Sequence, residues 1–342
     1  MGSAKLFYNR NRAFDTVNKF LFTSPQLFSI SLALDEGLLP TTQKLPRTCD
    51  RPTTPGLLEQ LVEAGVIKPL SKNTSKFEWT QEFRMAWDYR DLFIATISMV
   101  MTLVASANLS PTDPNFGTYE EPAIQDVLAI FDYSRALRTS DDEVSFTRTW
   151  VDYVTTLSRY DTSILSEHLA LNSSPARLLE IGGNSGESAI QLVKRYPQLS
   201  IDILDLPAVC HIGIRRIANE DESIQERVTF LAGDAFRCKL PSKSYDYILF
   251  KNMLHDWPDE QTRGLIHKML PSLKVGGCIV IFERFASNDT HLGFSSLPLK
   301  LFREYYRPQE WYADLLYELG AKHITKHVAA LDFPVCLTQA RF

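Results

Sequence analysis

The amino-acid sequence predicts an α/β protein, with a doubly wound parallel sheet in the second half of the chain and a helical first half. Up to about residue 165, apolar residues recur at three- and four-residue spacing, which indicates amphipathic helices. From residue 176, short β-branched or aromatic runs alternate with helical patterns, which is typical of βαβ units. The length of 342 residues suits two domains, which we place at residues 1–165 and 166–342.

The composition excludes several classes of protein. The net charge of -5 offers no basic surface for nucleic acid. The five cysteines are scattered and form no CxxC pair, which argues against a zinc site or a disulfide framework and favours a reducing compartment. The longest apolar stretch, residues 92–109, contains Ser and Thr and is interpreted as a buried helix rather than a membrane span. The first residues lack the apolar core of a secretory signal, so we expect a cytoplasmic protein without a membrane anchor.

Within the helical half, residues 54–83 have the outline of a winged helix. A helix, a glycine turn and two short strands around a polar tip follow one another in "TPGLLEQLVEAGVIKPLSKNTSKFEWTQEF". The helix that would enter DNA carries two Glu and no Lys or Arg, so it would repel phosphate and DNA binding is disfavoured. The apolar stripes of this half need a partner, and we therefore expect a homodimer.

A stripe of aromatic residues follows in "SFTRTWVDYVTTLSRYDTSILSEHLAL", residues 145–171. Trp150, Tyr153 and Tyr160 are spaced to lie along a helix. Two interpretations remain open: the stripe packs in the core, or part of it lines an aromatic substrate pocket.

The segment "LLEIGGNSGESAIQLVKRYP", residues 178–197, predicts a strand, a glycine-rich turn and a helix. Gly182, Gly183 and Gly186 would let a ligand approach the backbone, and the start of the helix would present free N–H groups to it. Asp205 ends the next strand, about 20 residues past the turn, where an acid can accept hydrogen bonds from both ribose hydroxyls. Because the glycines do not fit GxGxxG, the residues alone leave both NAD and S-adenosylmethionine open as cofactors.

Two further groups of polar residues follow predicted strands. Asp234 and Phe236 could hold an adenine by hydrogen bonding and stacking, or Asp234 could simply cap a helix. In "KNMLHDWPDE", residues 251–260, His255 follows a buried strand and so lies at the carboxyl edge of the sheet, where ligands of such folds bind. An imidazole there suits general-base chemistry at neutral pH, and Asp256 would also serve as the N-cap of the next helix.

The order of these motifs resembles that of the S-adenosylmethionine-dependent O-methyltransferases of the plant caffeate type and their bacterial natural-product relatives. The matching segments are "LLEIGGNSGE", "DLPAVC", "GDAF", "KNMLHDWPDE" and "LKVGGCIVIFE". The resemblance covers residues 176–285 well. It covers the N-terminal half more loosely, as a winged-helix dimerisation domain in front of a Rossmann-like catalytic domain.

The resemblance implies a role for each matching position. His255 would be the general base, Glu283 would orient its imidazole, and Asp256 would help to place the substrate. The remaining positions would bind S-adenosylmethionine: Gly182, Gly183 and Gly186 at the turn, Asp205 and Leu206 at the ribose, Asp234, Phe236 and Trp257 at the adenine, and Lys251 beside them. No metal is predicted.

Two positions depart from the family pattern. Asn184 stands where a third glycine is usual, and Asn tolerates the left-handed backbone that the turn needs. Tyr306 stands where plant-type members carry a second glutamate, so the histidine is expected to be held differently. Tyr306 joins Trp150, Tyr153 and Tyr160 as a predicted wall of the substrate pocket.

The resulting expectation is transfer of a methyl group to a hydroxyl of a small aromatic or polyketide-like metabolite. The alternative is a repurposed enzyme of the same fold that methylates carbon or catalyses a non-methylating rearrangement. A ligand-sensing DNA-binding regulator and an NAD dehydrogenase are weaker alternatives. The sequence does not specify the acceptor, the regiochemistry or the pathway.

Overall fold

The computed structural model describes residues 24–71, 76–106, 132–171, 175–285, 306–330 and 334–342. They form two compact units, one containing residues 24–106 and the other the described residues from 132 onward. The segment "PTDPNFGTYEEP", residues 111–122, is rich in turn-forming residues and is predicted from the sequence to be a surface loop, but it lies outside the described residues.

The N-terminal unit combines helices with a small antiparallel sheet of three strands in the order β1-β3-β2. Its elements are α1 (Ser24–Asp35), β1 (Thr48–Asp50), α2 (Leu57–Glu63), β2 (Ile67–Pro69), β3 (Lys76–Trp79), α3 (Gln81–Trp87) and α4 (Arg90–Ser106). The core is aromatic: the ring of Phe83 lies 5.6 Å from those of Trp79 and Trp87. Searching the described helices, α4 included, reveals none with the length and apolar character needed to span a membrane.

The C-terminal unit is built on a seven-stranded sheet. The strands are β4 (Ala176–Ile181), β5 (Leu199–Asp205), β6 (Val228–Ala232), β7 (Tyr245–Lys251), β8 (Leu273–Arg284), β9 (His323–Ala330) and β10 (Pro334–Arg341). The helices are α5 (Asp141–His168), α6 (Glu187–Arg195), α7 (Pro207–Ile217), α8 (Glu222–Gln225), α9 (Asp259–Met269) and α10 (Gln309–Glu318).

The strand order is β6-β5-β4-β7-β8-β10-β9. The first five strands in that order are parallel, whereas β10 runs antiparallel to both of its neighbours. The predicted α/β sheet is therefore mostly parallel and ends in an antiparallel pair, because the three residues between its last two strands are too few for a crossover helix. The order reverses between β4 and β7, and ligands of open α/β sheets bind at such a switch point.

Alternating residues along the strands supply two separate hydrophobic cores. On β7, Leu249 faces the core shared with α5 and α6, while Ile248 and Phe250 face the core shared with α9 and α10. Helices therefore cover both faces of the sheet, which explains why its central strands are apolar throughout.

Helix α5 belongs to the sheet unit, although the predicted boundary at residue 165 assigned most of it to the N-terminal domain. The physical reason lies in its polar residues. Thr155, Ser158 and Asp161 are buried and hydrogen-bond to residues at the carboxyl edge of the sheet. An amphipathic pattern shows that a helix has a buried face, but it does not show which domain covers that face.

Candidate active site

The predicted site residues gather at the carboxyl edge of the sheet, around the switch point. The glycine turn follows β4, Asp205 ends β5, and Asp234 follows β6. The turn that carries His255 follows β7, the strand adjacent to β4. The parallel sheet thus brings four separate sequence motifs to one edge.

The glycine turn has a backbone that few side chains permit. Gly182 and Gly186 have φ of 70° and 81°, and Asn184 has φ of 55°. At Gly183 the restriction is space, because a Cβ atom there would lie 2.7 Å from Cγ2 of Ile203. The Asn184 Oδ1 accepts hydrogen bonds from the Ser185 N–H at 2.6 Å and the Thr155 hydroxyl at 3.2 Å. The asparagine therefore fits the turn and ties it to α5.

Asp205 connects the glycine turn to the next strand. Its Oδ2 accepts the Asn184 N–H at 2.8 Å, and its Oδ1 accepts the Leu206 N–H at 2.7 Å. Burial raises the pKa of Asp205 to about 7, although these two hydrogen bonds favour the charged form. Asp205 as a whole residue is only partly buried, and each carboxylate oxygen keeps a further lone pair for a ligand hydroxyl.

An aromatic wall lies beside this carboxylate. The ring of Trp257 packs edge-on against Phe236, with centroids 4.7 Å apart. Tyr133 lies 5.9 Å from Trp257 and 5.6 Å from Trp150, and Leu206 belongs to the same apolar group. The Asp234 Oδ1 accepts the Phe236 N–H at 2.9 Å and so positions the turn. Partly exposed rings of this kind can pack against the faces of an adenine.

Lys251 makes its described polar contacts with α5. Its Nζ lies 2.7 Å from Oδ1 of Asp161 and donates to Ser158 Oγ at 3.1 Å. Burial raises the pKa of the neighbouring Glu180 to about 8, and Lys251 partly offsets that rise. Oε2 of Glu180 and Oδ1 of Asn252 are buried and have no hydrogen-bond partner among the residues that the structure describes. The ammonium group has three N–H donors, and the contacts with Asp161 and Ser158 use two of them. A contact between Lys251 and the cofactor would need the third donor and stays a prediction.

His255 and Glu283 form the closest side-chain pair of the catalytic motif. Nδ1 of the imidazole lies 2.6 Å from Oε2 of Glu283. The other oxygen, Oε1, accepts the N–H groups of Met253 and Leu254 at 2.7 and 2.6 Å. One carboxylate thus fixes both the imidazole and the turn beneath it. With Nδ1–H donated to Glu283, Nε2 carries the lone pair that can accept a proton.

The charge around His255 favours its protonated form. Burial alone would lower the pKa of the imidazole, but the carboxylates of Glu283 and Asp256 raise it above its ordinary value. Asp256 Oδ1 lies 3.5 Å from Nε2, which is too long for a good hydrogen bond. The Tyr133 hydroxyl donates to Asp256 Oδ2 at 2.9 Å. Burial also raises the pKa of Asp256, against the effects of His255 and Tyr133.

Arg307 was not predicted as a site residue, but its side chain holds the turn that carries His255. Its guanidinium donates to the carbonyl oxygens of Leu254 at 3.0 Å and Trp257 at 2.6 Å, which bracket His255 and Asp256. It also contacts Thr262 at 3.1 Å and pairs with Asp259 at 2.8 Å. A buried arginine with donors in a planar fork suits such a role. Its only sequence signal was its position directly after Tyr306.

The predicted substrate-wall residues fall into two groups. Tyr306 is buried, and its ring lies 5.1 Å from that of His255, so an aromatic side chain lies beside the imidazole at the position where the family pattern has a second glutamate. Trp150 is buried against α7 and Tyr133. Tyr153 and Tyr160 are partly exposed on α5, and their part in a pocket stays a prediction.

The site has features that suit an adenosyl ligand: a carboxylate with lone pairs left for a ligand, an aromatic wall, and a glycine turn held close to the adjacent strand. In the part of the chain that the structure describes, no three or more His, Cys, Asp or Glu side chains lie together in a way that could hold a metal ion. What the arrangement can do chemically is bind a nucleoside at one side and remove a proton with His255 at the other.

The sheet order and this edge site define an α/β protein of the Rossmann-like class. Residues 136–301 match the model of the O-methyltransferase domain family. This segment, just under half of the chain, carries an O-methyltransferase domain, which confirms the resemblance inferred from the motifs for this part of the chain.

Known proteins similar to this chain agree with that assignment. The chain is 34% identical over 117 residues to 3-hydroxy-5-methyl-1-naphthoate 3-O-methyltransferase from Streptomyces sahachiroi, a match that covers 34% of this chain and 33% of the relative. The match thus spans about a third of that curated relative.

Two solved structures show the same fold over nearly the whole chain. Human N-acetylserotonin methyltransferase in complex with S-adenosylmethionine has a TM-score of 0.61 at 16% identity, covering 100% of this chain and 99% of that one. An O-methyltransferase family protein from Burkholderia thailandensis has a TM-score of 0.62 at 16% identity, covering 92% and 94%.

Proposed function

We propose that this protein is an S-adenosylmethionine-dependent methyltransferase that moves a methyl group to a hydroxyl of a small aromatic or polyketide-like metabolite. The observation that carries the proposal is the pair of His255 and Glu283, 2.6 Å apart, at the sheet edge shared with the glycine turn. The names of the relatives, one acting on a hydroxynaphthoate and one on N-acetylserotonin, support an aromatic hydroxyl as the acceptor.

The cofactor would lie across the carboxyl ends of β4, β5 and β6. Gly182, Gly183 and Gly186 keep the turn free of side chains. Asp205 would accept the ribose hydroxyls next to Leu206, and the adenine would meet Asp234, Phe236 and Trp257. Lys251 would reach the cofactor with its remaining donor. When bound, S-adenosylmethionine supplies an electrophilic methyl group.

The task of His255 is to accept the proton of the acceptor hydroxyl at Nε2. The hydroxyl oxygen becomes more nucleophilic as that proton leaves, and the imidazolium that forms is stabilised by Glu283 on Nδ1. General-base help of this kind contributes about 10²- to 10⁴-fold in rate. Asp256 would position the acceptor, with Tyr306, Trp150, Tyr153 and Tyr160 as the proposed pocket wall.

One observation favours a second candidate function. The ring of Tyr306 lies 5.1 Å from His255, where plant-type members of the family would have a second carboxylate. A base flanked by an aromatic ring suits an apolar acceptor. The same arrangement of His255 beside the Tyr306 ring also suits a repurposed enzyme that methylates carbon or catalyses a non-methylating rearrangement.

For the N-terminal unit we extend the proposal to a winged-helix-like dimerisation domain. Support comes from the succession of α1, β1, α2 and the antiparallel strands β2 and β3. Light scattering during gel filtration tests the homodimer, because a monomeric mass at micromolar concentration would contradict it. The expected site of action is the cytoplasm.

The test of the function combines binding with turnover. Calorimetry should detect S-adenosylhomocysteine binding and no binding of NAD. Incubation with S-adenosylmethionine and a panel of 3-hydroxynaphthoates and N-acetylserotonin should add one methyl group to at least one compound. The matched methoxy analogues, whose hydroxyl is blocked, should remain unchanged. A methyl gain by a blocked analogue would favour carbon methylation, whereas cofactor binding without any methyl gain would favour the non-methylating alternative.

A further inference from the structure

Tyr133 is a residue to which neither the motifs nor the family resemblance gave a role. It lies shortly before α5 and touches two parts of the site. Its ring belongs to the aromatic wall, 5.9 Å from Trp257, and packs against the core cluster that contains Trp150. Its hydroxyl donates to Oδ2 of Asp256 at 2.9 Å.

These two contacts join features that are otherwise separate. Trp257 packs on Phe236, so the ring of Tyr133 extends the wall proposed for the adenine. Asp256 presents its other oxygen, Oδ1, to Nε2 of His255 at 3.5 Å. One side chain therefore contacts the proposed nucleoside pocket with its ring and Asp256, the neighbour of the proposed base, with its hydroxyl.

We infer that Tyr133 is a positioning residue that couples the adenosine pocket to the catalytic base. Its ring supports the wall, and its hydroxyl holds Asp256 so that Oδ1 faces the imidazole. The inference rests on the proposed function, because it assigns the wall to adenosine and the proton transfer to His255.

The hydroxyl should act on His255 through Asp256. The charged groups that face the imidazole are Glu283 and Arg284 from β8 and Asp256 from its own turn. Asp205 and Asp256 both lie near the Tyr133 phenol, whose pKa burial and the Asp256 carboxylate raise well above its ordinary value, so the phenol remains a donor. A donor on Asp256 favours its charged form, and a charged Asp256 favours protonated His255. Without the hydroxyl, His255 should therefore lose its proton at lower pH.

The first test measures the protonation of His255 directly. Protein labelled at Cε1 of histidine is titrated by NMR, with and without S-adenosylhomocysteine, and the His255 signal is assigned with H255Q. In Y133F the titration midpoint should fall by about half a pH unit. It should fall further in D256N, and the double variant should match D256N, because the hydroxyl acts only through that carboxylate.

Y245F is the matched control. The Tyr245 hydroxyl also donates to an aspartate, Asp202, at 2.8 Å, but at the opposite end of β7. The His255 midpoint should be unchanged in Y245F. An unchanged midpoint in Y133F, or an equal shift of Y133F in the wild-type and D256N backgrounds, would overturn the role of the hydroxyl.

The second test separates the ring from the hydroxyl. By calorimetry, Y133F should bind S-adenosylhomocysteine within about twofold of the wild type, whereas Y133L should bind about tenfold more weakly because it loses the aromatic surface. Equal affinity of Y133L and the wild type would overturn the role of the ring. Failure of the wild type to bind would instead contradict the proposed function, and the ligand-free titrations would still decide the role of the hydroxyl.

Discussion

Two turns meet at the carboxyl edge of the sheet, and they are held in different ways. The turn proposed to bind the cofactor, residues 182–186 (the cofactor turn), depends on its own backbone and on the adjacent strand, since Gly182 N–H bonds to the Leu204 carbonyl and Asn184 N–H to Asp205. The turn proposed to carry the base, residues 252–257 (the catalytic turn), depends on Glu283 and Arg307.

This difference indicates how each turn should respond to amino-acid substitutions at positions distant from it in the chain. A turn encoded by its own backbone conformation is disturbed mainly by substitutions within it or directly beneath it. The catalytic turn is held by side chains about 30 and 50 residues later in the chain. We therefore expect remote substitutions to impair catalysis while cofactor binding at the first turn persists.

The largest expected effect is at the base itself. His255→Gln should lower kcat by about 10²- to 10⁴-fold, because the glutamine amide is too weak a base to take the proton from the substrate hydroxyl. Affinity for S-adenosylhomocysteine should stay within about twofold, since the first turn is untouched. His267→Gln, an exposed histidine on α9, is the control in both assays and should behave as wild type. Turnover by His255→Gln at the wild-type rate would mean that His255 is not the base.

A smaller loss is expected at Arg307. Arg307→Lys should lower kcat by about tenfold, because a lysine lacks the planar fork that reaches the Leu254 and Trp257 carbonyls together. Steady-state kinetics with the acceptor found in the panel, and thermal melting, measure the effect. Arg263→Lys is the matched control, because its exposed pair with Glu318 contributes little. Equal kcat in both variants would refute the idea that Arg307 holds the turn.

The cofactor turn should respond to pH through Asp205. Burial raises the pKa of this carboxyl to about 7 in the ligand-free protein. Ribose hydroxyls favour the ionised carboxylate, so binding should lower its pKa, and affinity should rise with pH until about 7. Calorimetry with S-adenosylhomocysteine should show about tenfold weaker binding at pH 6 than at pH 8.

Asp205→Asn supplies the comparison for that pH dependence. The affinity of this variant for S-adenosylhomocysteine should be lower than that of the wild type at every pH. It should also be nearly constant between pH 6 and pH 8. If the variant keeps the slope, the titrating group is a different one, with Glu180 the first choice because burial raises its pKa to about 8.

The smallest effect is expected at Asn184. Asn184→Gly restores the usual glycine and relieves the left-handed backbone, but it removes the hydrogen bonds to Ser185 and Thr155. These effects oppose each other, so the unfolding free energy should change by less than about 1 kcal/mol. Chemical denaturation measures it. A loss of several kcal/mol would show that the turn depends on α5 as heavily as the catalytic turn depends on its remote partners.

Much of the fold could be predicted because its signals are local. The change from helical spacing to short apolar runs predicted the α/β sheet, and the strand ends predicted where the motifs meet. The domain assignment of α5 was not predictable in this way. Its buried Thr155, Ser158 and Asp161 look like ordinary polar residues of a helix until the sheet edge supplies their partners.

By itself, the sequence determined the order of the elements, the glycine turn with its acid on the next strand, and a histidine at the sheet edge. These follow from backbone preferences and hydrophobic periodicity, which act over a few residues. The tertiary structure alone decided that Arg307 braces the catalytic turn, that Tyr133 reaches Asp256, and that Lys251 pairs with Asp161. Such contacts join residues far apart in the chain, and their free energy depends on distance and burial in space, which residue spacing does not encode.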